Sequence, residues 1–152
     1  MDEPHDLDVN RAWYWINSRL AEEQAGYALN WAICPLSDDV LIGYVGLHDI
    51  DLERKQAELC FWLVPIPDAD ELLMEAAQTA LAFAFETLHM NTMRAVSIPG
   101  KPQTSGILTS IGMRLLQPTC QGSSDWTRFN DVHIWTITRS GWEHRLLARD
   151  HS

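Results

Sequence analysis

Basic charge is what this sequence has least of. Its 152 residues hold 11 Lys and Arg against 21 Asp and Glu, a net charge of −10, and no run of basic residues occurs. Nucleic acid and anionic membrane surfaces are bound through clustered Lys and Arg, so neither is an expected partner. The acidic balance suits a cationic or amine ligand, with acidic solubility alone as the plainer reading. Long hydrophobic runs are missing too. No apolar stretch nears the ~18 residues of a membrane span, and the acidic opening Met1-Asp2-Glu3 does not read as a signal peptide. Cysteine is scarce: Cys34, Cys60 and Cys120 are odd in number and have no metal-ligand spacing. Two of them fall in expected strands, which implies buried, reduced thiols in a cytoplasmic protein and no metal site. Repeats, low-complexity tracts and linkers are absent as well. What remains, 46% hydrophobic, fits one domain over 1–152 with a full core.

Asp6-Leu7-Asp8 offers an N-cap for a helix from about Val9 to Gln24, closed by Gly26. Ala12, Trp13, Ile16 and Leu20 have the helical spacing of its buried face. Trp13 and Trp15 cannot share that face, so one of them is expected at the surface or an interface. Three strand-like runs follow, Tyr27–Cys34, Val40–Leu47 and Ala57–Val64, joined by connections short enough for antiparallel hairpins. A second helix spans about Asp70–Leu88, with a stripe of Leu73, Ala76, Ala77, Ala80, Leu81, Ala84 and Leu88. Thr92–Ile98 reads as a strand, Thr104–Ile111 as a short helix ending at Gly112, and Met113 to Leu116 and Val132–Thr138 as strands. Trp142 begins a short tail. The class is α+β, a mostly antiparallel sheet of about six strands with helices on both faces.

One segment lacks something that its position calls for. In Ala57–Ala76, AELCFWLVPIPDADELLMEA, a strand runs into a helix through a loop with no glycine. Strand, short loop and helix N-terminus make an anion site, because unpaired backbone N–H groups and the helix dipole converge there. Here the loop carries Asp68, Asp70 and Glu71. Those carboxylates would satisfy the helix terminus themselves, as N-cap and first-turn acids do, which makes an ordinary capped turn.

The order of elements, with Trp31-Ala32-Ile33, Leu41-Ile42-Gly43-Tyr44-Val45-Gly46-Leu47-His48-Asp49, Ala57-Glu58-Leu59-Cys60-Phe61-Trp62-Leu63, Glu75-Ala76, Gly112-Met113 and Asp131–Trp135, resembles the GNAT acyltransferase superfamily. It is most similar to the branch that acetylates N-termini of ribosomal proteins and related amines. The resemblance implies a sheet that splays between Ala57–Val64 and Thr92–Ile98. It also implies acetyl-CoA or another acyl thioester as donor, and a small-molecule or peptide amine as acceptor. The donor would lie on Leu63, Val64, Asp68, Ala69, Asp70, Glu71 and Leu72, with Lys101 and Thr104 opposite. The family's loop glycines fall at Ala69 and Glu71, so the acidic loop sets the chain against an ordinary CoA pyrophosphate. Thr104 keeps a hydroxyl for CoA or the leaving thiol, whereas Lys101 replaces a family amide. The place of a catalytic glutamate found in some members is Ser123, and that of a general-acid tyrosine is Phe129.

Glu58 is then the remaining base, with a backbone N–H near Leu63 or Val64 polarising the thioester carbonyl. His48, Asp49 and Trp31 stand on the expected substrate side. His48-Asp49-x-Asp51 scatters over both faces of an extended chain and reads as a solvated strand end rather than a metal site. The family's usual first strand and helix have no counterpart before Asp6. This predicts that Tyr27–Cys34 is an uncovered edge and that, with the first helix, it forms a homodimer or a complex with another protein. Two alternatives to an acyltransferase stay open: a degenerate binding or regulatory subunit, and a different reaction in the same cleft.

Overall fold

The computed structural model describes residues 9–37, 40–98, 102–116 and 132–150. The chain runs through α1 (Val9–Gln24), β1 (Leu29–Ile33), β2 (Gly43–Asp51), β3 (Gln56–Leu63) and α2 (Ala69–Ala82). It continues through β4 (Thr92–Ser97), α3 (Pro102–Ser110), β5 (Arg114–Leu115), β6 (His133–Thr138) and α4 (Arg139–Asp150). Six strands form one sheet in the order β1-β2-β3-β4-β6-β5. β1–β2–β3 is an antiparallel meander; β3 and β4 pair in parallel, and only over Gln56–Glu58 with Thr92–Arg94. Beyond that rung the two strands part, which is the splay expected from the sequence.

Alternation along the strands puts Val45, Leu47, Ala57 and Leu59 on one face, where Ala77, Ala80, Leu81 and Phe85 cover them. α2 packs on β2 and β3 because its small residues let the helix approach closely. Its last turn widens into a π-helical turn, Phe83–Thr87, closed by the Leu88 N–H donating to the Phe83 carbonyl five residues back at 3.1 Å.

Three readings of the sequence are corrected. The residues after Thr138 are helix α4 rather than a tail: Thr138 caps it, its Oγ1 accepting from the Gly141 N–H at 3.1 Å. The helix seats Trp142 on Phe85 with ring centroids 5.2 Å apart. We expect Thr138→Ala to cost about 1 kcal/mol, read as a lower urea midpoint with unchanged slope. Next, α1 turns the other way. Trp13 is 61%, Ile16 47% and Leu20 51% exposed, while Trp15, Ser18, Arg19 and Glu22 face inward, half-buried. Finally, Cys34 is exposed, just past the end of β1, and only Cys60 is a buried thiol among the described residues. The Asp6–Asp8 cap and Cys120 lie outside those residues.

Candidate active site

On the face of the sheet opposite α2, period-two alternation lines up Tyr44, Gly46 and His48 on β2 with Trp62, Cys60 and Glu58 on β3, pair for pair. Asn30 on β1 and Arg19 on α1 complete a polar cluster. Arg19 Nη1 lies 3.1 Å from His48 Nδ1. A guanidinium only donates, so Nδ1 is the acceptor and the ring proton sits on Nε2, where it donates to Tyr44 Oη. Tyr44 passes its own proton to Asn30 Oδ1 at 2.6 Å, and the Asn30 amide donates to Glu23 Oε2 at 3.1 Å. The chain of hydrogen bonds therefore runs from the Arg19 side chain out to Glu23 at the surface, while the Asn30 amide also donates back to the Arg19 carbonyl at 3.4 Å. With Nδ1 occupied, the Cys60 thiol donates to Glu58 Oε1 at 3.7 Å.

Gly46 makes this possible. A Cβ there would overlap Tyr44 Oη and crowd His48 Nε2. Trp15 stacks edge-on against the Tyr44 ring at 5.3 Å, so the cluster is also what fixes α1 on the sheet.

Burial sets the charges. Burial first, then the Arg19 guanidinium, lowers the His48 pKa to about 4, so the imidazole is neutral at physiological pH. Burial, with the Asp49 carboxylate next, raises the Glu58 carboxyl. Burial likewise raises the Cys60 thiol and the Tyr44 phenol, keeping both protonated. For His48 the folded pKa lies below the unfolded one, so its contribution to stability is present above pH 6.5 and lost as the pH falls to about 4. Glu58 has the opposite sign: its burial penalty disappears as the pH falls through its raised pKa. His48→Gln should therefore flatten the acid limb of urea midpoints measured between pH 7 and pH 4, and an unchanged limb would place the acid sensitivity elsewhere.

The second half of the site is the gap between β3 and β4. The Val64 N–H is used, donating to the Ile42 carbonyl at 2.9 Å, which corrects its place as an oxyanion donor. Antiparallel pairing turns successive N–H groups to opposite sides, so those of Phe61 and Leu63 point into the gap. Glu58 stands at the last paired rung, beside Arg94 of β4. The gap opens into a cavity of about 570 Å³ lined by Leu63, Val64, the loop Asp68–Glu71 and Gln103.

The loop itself is not the side-chain-capped turn expected. Asp68 sits at the N-cap in left-handed conformation, φ 64°, and its carboxylate makes no cap hydrogen bond. The backbone bonds Ala69 N–H to Ile66 O and Leu72 N–H to Asp68 O instead, so Leu72 offers no free amide. Gln103, in the first turn of α3, donates to Asp70 Oδ1 and ties the two helix N-termini across the cavity. Asp68 is the loop position whose positive φ would suit a glycine, and Ala69 beside it is buried.

Leu63, Asp68, Ala69, Asp70 and Glu71 thus line one cavity with Gln103, and Thr104 is half-buried next to Gln103, whereas Glu58 and His48 stand further back along the sheet, at the paired end of β3. Trp31 belongs elsewhere, on the α2 face against Phe83, ring centroids 5.3 Å apart. Asp49 is exposed, and Asp51 Oδ1 accepts from the Arg54 N–H at 2.9 Å, closing the hairpin turn. Among the described residues no three His, Cys, Asp or Glu side chains converge on a metal-sized site. Lys101, Ser123 and Phe129 lie outside those residues. Tyr44 and Cys60 were missed as site residues, although the alternation Tyr44-x-Gly46-x-His48 against Glu58-x-Cys60-x-Trp62 carries the signal. Arg19, Asn30 and Gln103 leave none.

Compared with known proteins, the acetyltransferase (GNAT) domain family matches residues 1–114. The chain is similar to YdaF of Bacillus subtilis (strain 168), whose name assigns it provisionally as a ribosomal N-acetyltransferase, with 25% identity over 108 residues. That match covers 71% of this chain but only 59% of YdaF. A spermidine N-acetyltransferase from Vibrio cholerae, solved in complex with CoA and spermine, superposes with a TM-score of 0.71 at 16% identity, over 93% of this chain and 80% of that one. A second Vibrio cholerae structure, named provisionally as a ribosomal-protein-serine acetyltransferase, gives 0.72 at 14% identity, over 87% and 76%. At such identities the likeness establishes the shared fold.

Proposed function

The chain belongs to the GNAT acetyltransferase family, and we propose that it moves an acyl group from a thioester donor, acetyl-CoA or a similar compound, to an amine. The observation that carries this reading is the position of Glu58, where β3 and β4 part and the β3 N–H groups turn into the gap. An amine must lose a proton as it attacks, and a half-buried carboxylate with a raised pKa is suited to take it. The Leu63 N–H points into the gap roughly 16 Å further along β3; it would steady charge building on the thioester oxygen, with water relaying the amine's proton to Glu58.

The donor is held atypically. CoA's pyrophosphate would meet Asp68, Asp70 and Glu71 at the N-terminus of α2, where like charge opposes it. The residues present do not fit that group, so binding rests on the gap rather than on the loop. The acceptor is an amine with a carbonyl beside it, as at a peptide N-terminus. Trp62 Nε1 is buried without a hydrogen-bond partner among the described residues, and a carbonyl would satisfy it.

Titration calorimetry with acetyl-CoA, followed by acetyl transfer to an N-terminal peptide and to spermidine, tests this. We expect measurable but weak donor binding and faster transfer to the peptide. No binding at millimolar acetyl-CoA would favour a second reading, which the acidic loop supports: a GNAT-fold binding protein.

A further inference from the structure

The polar cluster beneath α1 holds a buried thiol that the transfer step does not use. Cys60 is 4% exposed and faces Gly46 across the β2–β3 pair. Its Sγ lies 3.6 Å from His48 Nδ1 and 3.7 Å from Glu58 Oε1, so by distance alone it could donate to either. The choice is made from α1. Arg19 Nη1, 3.1 Å from His48 Nδ1, can only donate, and it spends the one acceptor that the neutral imidazole offers. Glu58 is the acceptor left to the thiol. Burial, with the Glu58 carboxylate next, raises the Cys60 pKa, so the thiol keeps its proton and is a donor rather than a nucleophile.

We infer that Cys60 is a positioning residue for acyl transfer: its thiol, turned away from His48 by Arg19, holds Glu58 Oε1 and leaves Oε2 to take the amine's proton. The inference rests on Glu58 as the base and deepens that reading. No proton leaves Cys60 at any stage; the amine's proton passes through water to Oε2. What the thiol supplies is a fixed carboxylate. A glutamate side chain has several rotatable bonds, and one already held at an oxygen has less freedom to lose when the reaction starts. A hydrogen bond to the charged form also favours that form, so the thiol works against burial and the Asp49 carboxylate, which both raise Glu58. Among the described residues, the groups facing Glu58 are His48 and Asp49 from β2, Cys60 on β3 itself and Arg94 from β4, with Arg19 of α1 behind His48. Replacing Cys60 changes the charge of none of them.

The test follows Glu58 itself. The whole chain, carrying glutamate labelled with carbon-13 at the carboxyl, is titrated by NMR, and Glu58 is assigned as the resonance that Glu58→Gln removes. Beside it runs the pH profile of acetyl transfer to an N-terminal peptide. Cys60→Ala should move the Glu58 inflection and the kcat inflection together to higher pH. Below the inflection kcat should fall about fivefold, the worth of one modest hydrogen bond, with KM for the peptide unchanged. Cys60→Ser shrinks the side chain as much but keeps a donor that the flexible Glu58 can follow, and should return both inflections toward native. Arg19→Met keeps an apolar stem over the Trp15 ring and frees His48 Nδ1 for the thiol. It should move both inflections in the same direction as Cys60→Ala, and move nothing further in a Cys60→Ala background. A Glu58 resonance indifferent to Cys60→Ala, Ala and Ser variants that behave alike, or additive Arg19 and Cys60 effects would overturn the positioning role and leave Glu58 as the base. Glu58→Gln at near-native rate would remove the base, and the positioning role with it.

Discussion

Glu58→Gln should lower the rate of amine acetylation about 10²–10⁴-fold, the range typical of a lost general base, with little change in donor affinity. The amide keeps the size of the side chain and its place opposite His48, and it removes only the capacity to take a proton. Burial and the Asp49 carboxylate hold the Glu58 carboxyl above its ordinary range. The native rate should therefore rise with pH through that raised value and level off once the carboxylate forms. Asp49→Asn removes the neighbouring charge and should move the inflection to lower pH without flattening it. Stopped-time assays of acetyl transfer between pH 5 and pH 9 read both effects. A Glu58→Gln enzyme within a factor of a few of native would remove Glu58 from the reaction, and a native profile with no inflection would do the same.

The second large effect runs the other way, toward gain. Asp68→Gly, Asp70→Asn and Glu71→Gln together should tighten acetyl-CoA binding about 10²-fold. Each carboxylate within ~6 Å of a pyrophosphate opposes it by roughly 1–3 kcal/mol at intermediate effective dielectric, and exposure brings each toward the low end. Glycine at residue 68 also suits the left-handed backbone found there, φ 64°. Asparagine at residue 70 keeps an oxygen for the Gln103 amide. Calorimetry at low ionic strength measures the change. Because the opposition is coulombic and exposed, added salt should strengthen donor binding to the native chain and weaken it in the triple variant. Equal affinities for the two proteins would mean that the donor's phosphates do not approach the α2 terminus.

Part of this site was legible before any tertiary structure. The parting of β3 and β4, and Glu58 and the acidic loop beside it, follow from the resemblance and from local patterns. The hairpin register was implicit too, since a period of two fixes which side chains share a face once His48 is set against Glu58. Arg19 was out of reach, because its contact with His48 joins residues 29 apart and depends on how α1 is rotated. That rotation was misread for a physical reason. The spacing of Trp13, Ile16 and Leu20 marks an apolar stripe, but the sheet surface beneath α1 presents Tyr44, His48 and Asn30. Hydrogen bonds and the Trp15–Tyr44 contact won the inner face, and the stripe was left outside. Helix α4 was missed because Thr138 looks like a strand end until its hydroxyl is seen to cap the next turn.

The sequence by itself determined the strands and the helices other than α4, where α1 stops at Gly26, the hydrophobic face of α2, and the charge of the donor loop. Those follow from neighbours within a few residues, where spacing and backbone preference act. Only the tertiary structure decided which face α1 buries, which way the hydrogen bonds through His48 run, and which β3 amides face the gap. It also set α2 over β2 and β3, which leaves a groove beside β1. Those depend on contacts between residues distant in the chain, whose energies are set by what lies opposite once the sheet has formed.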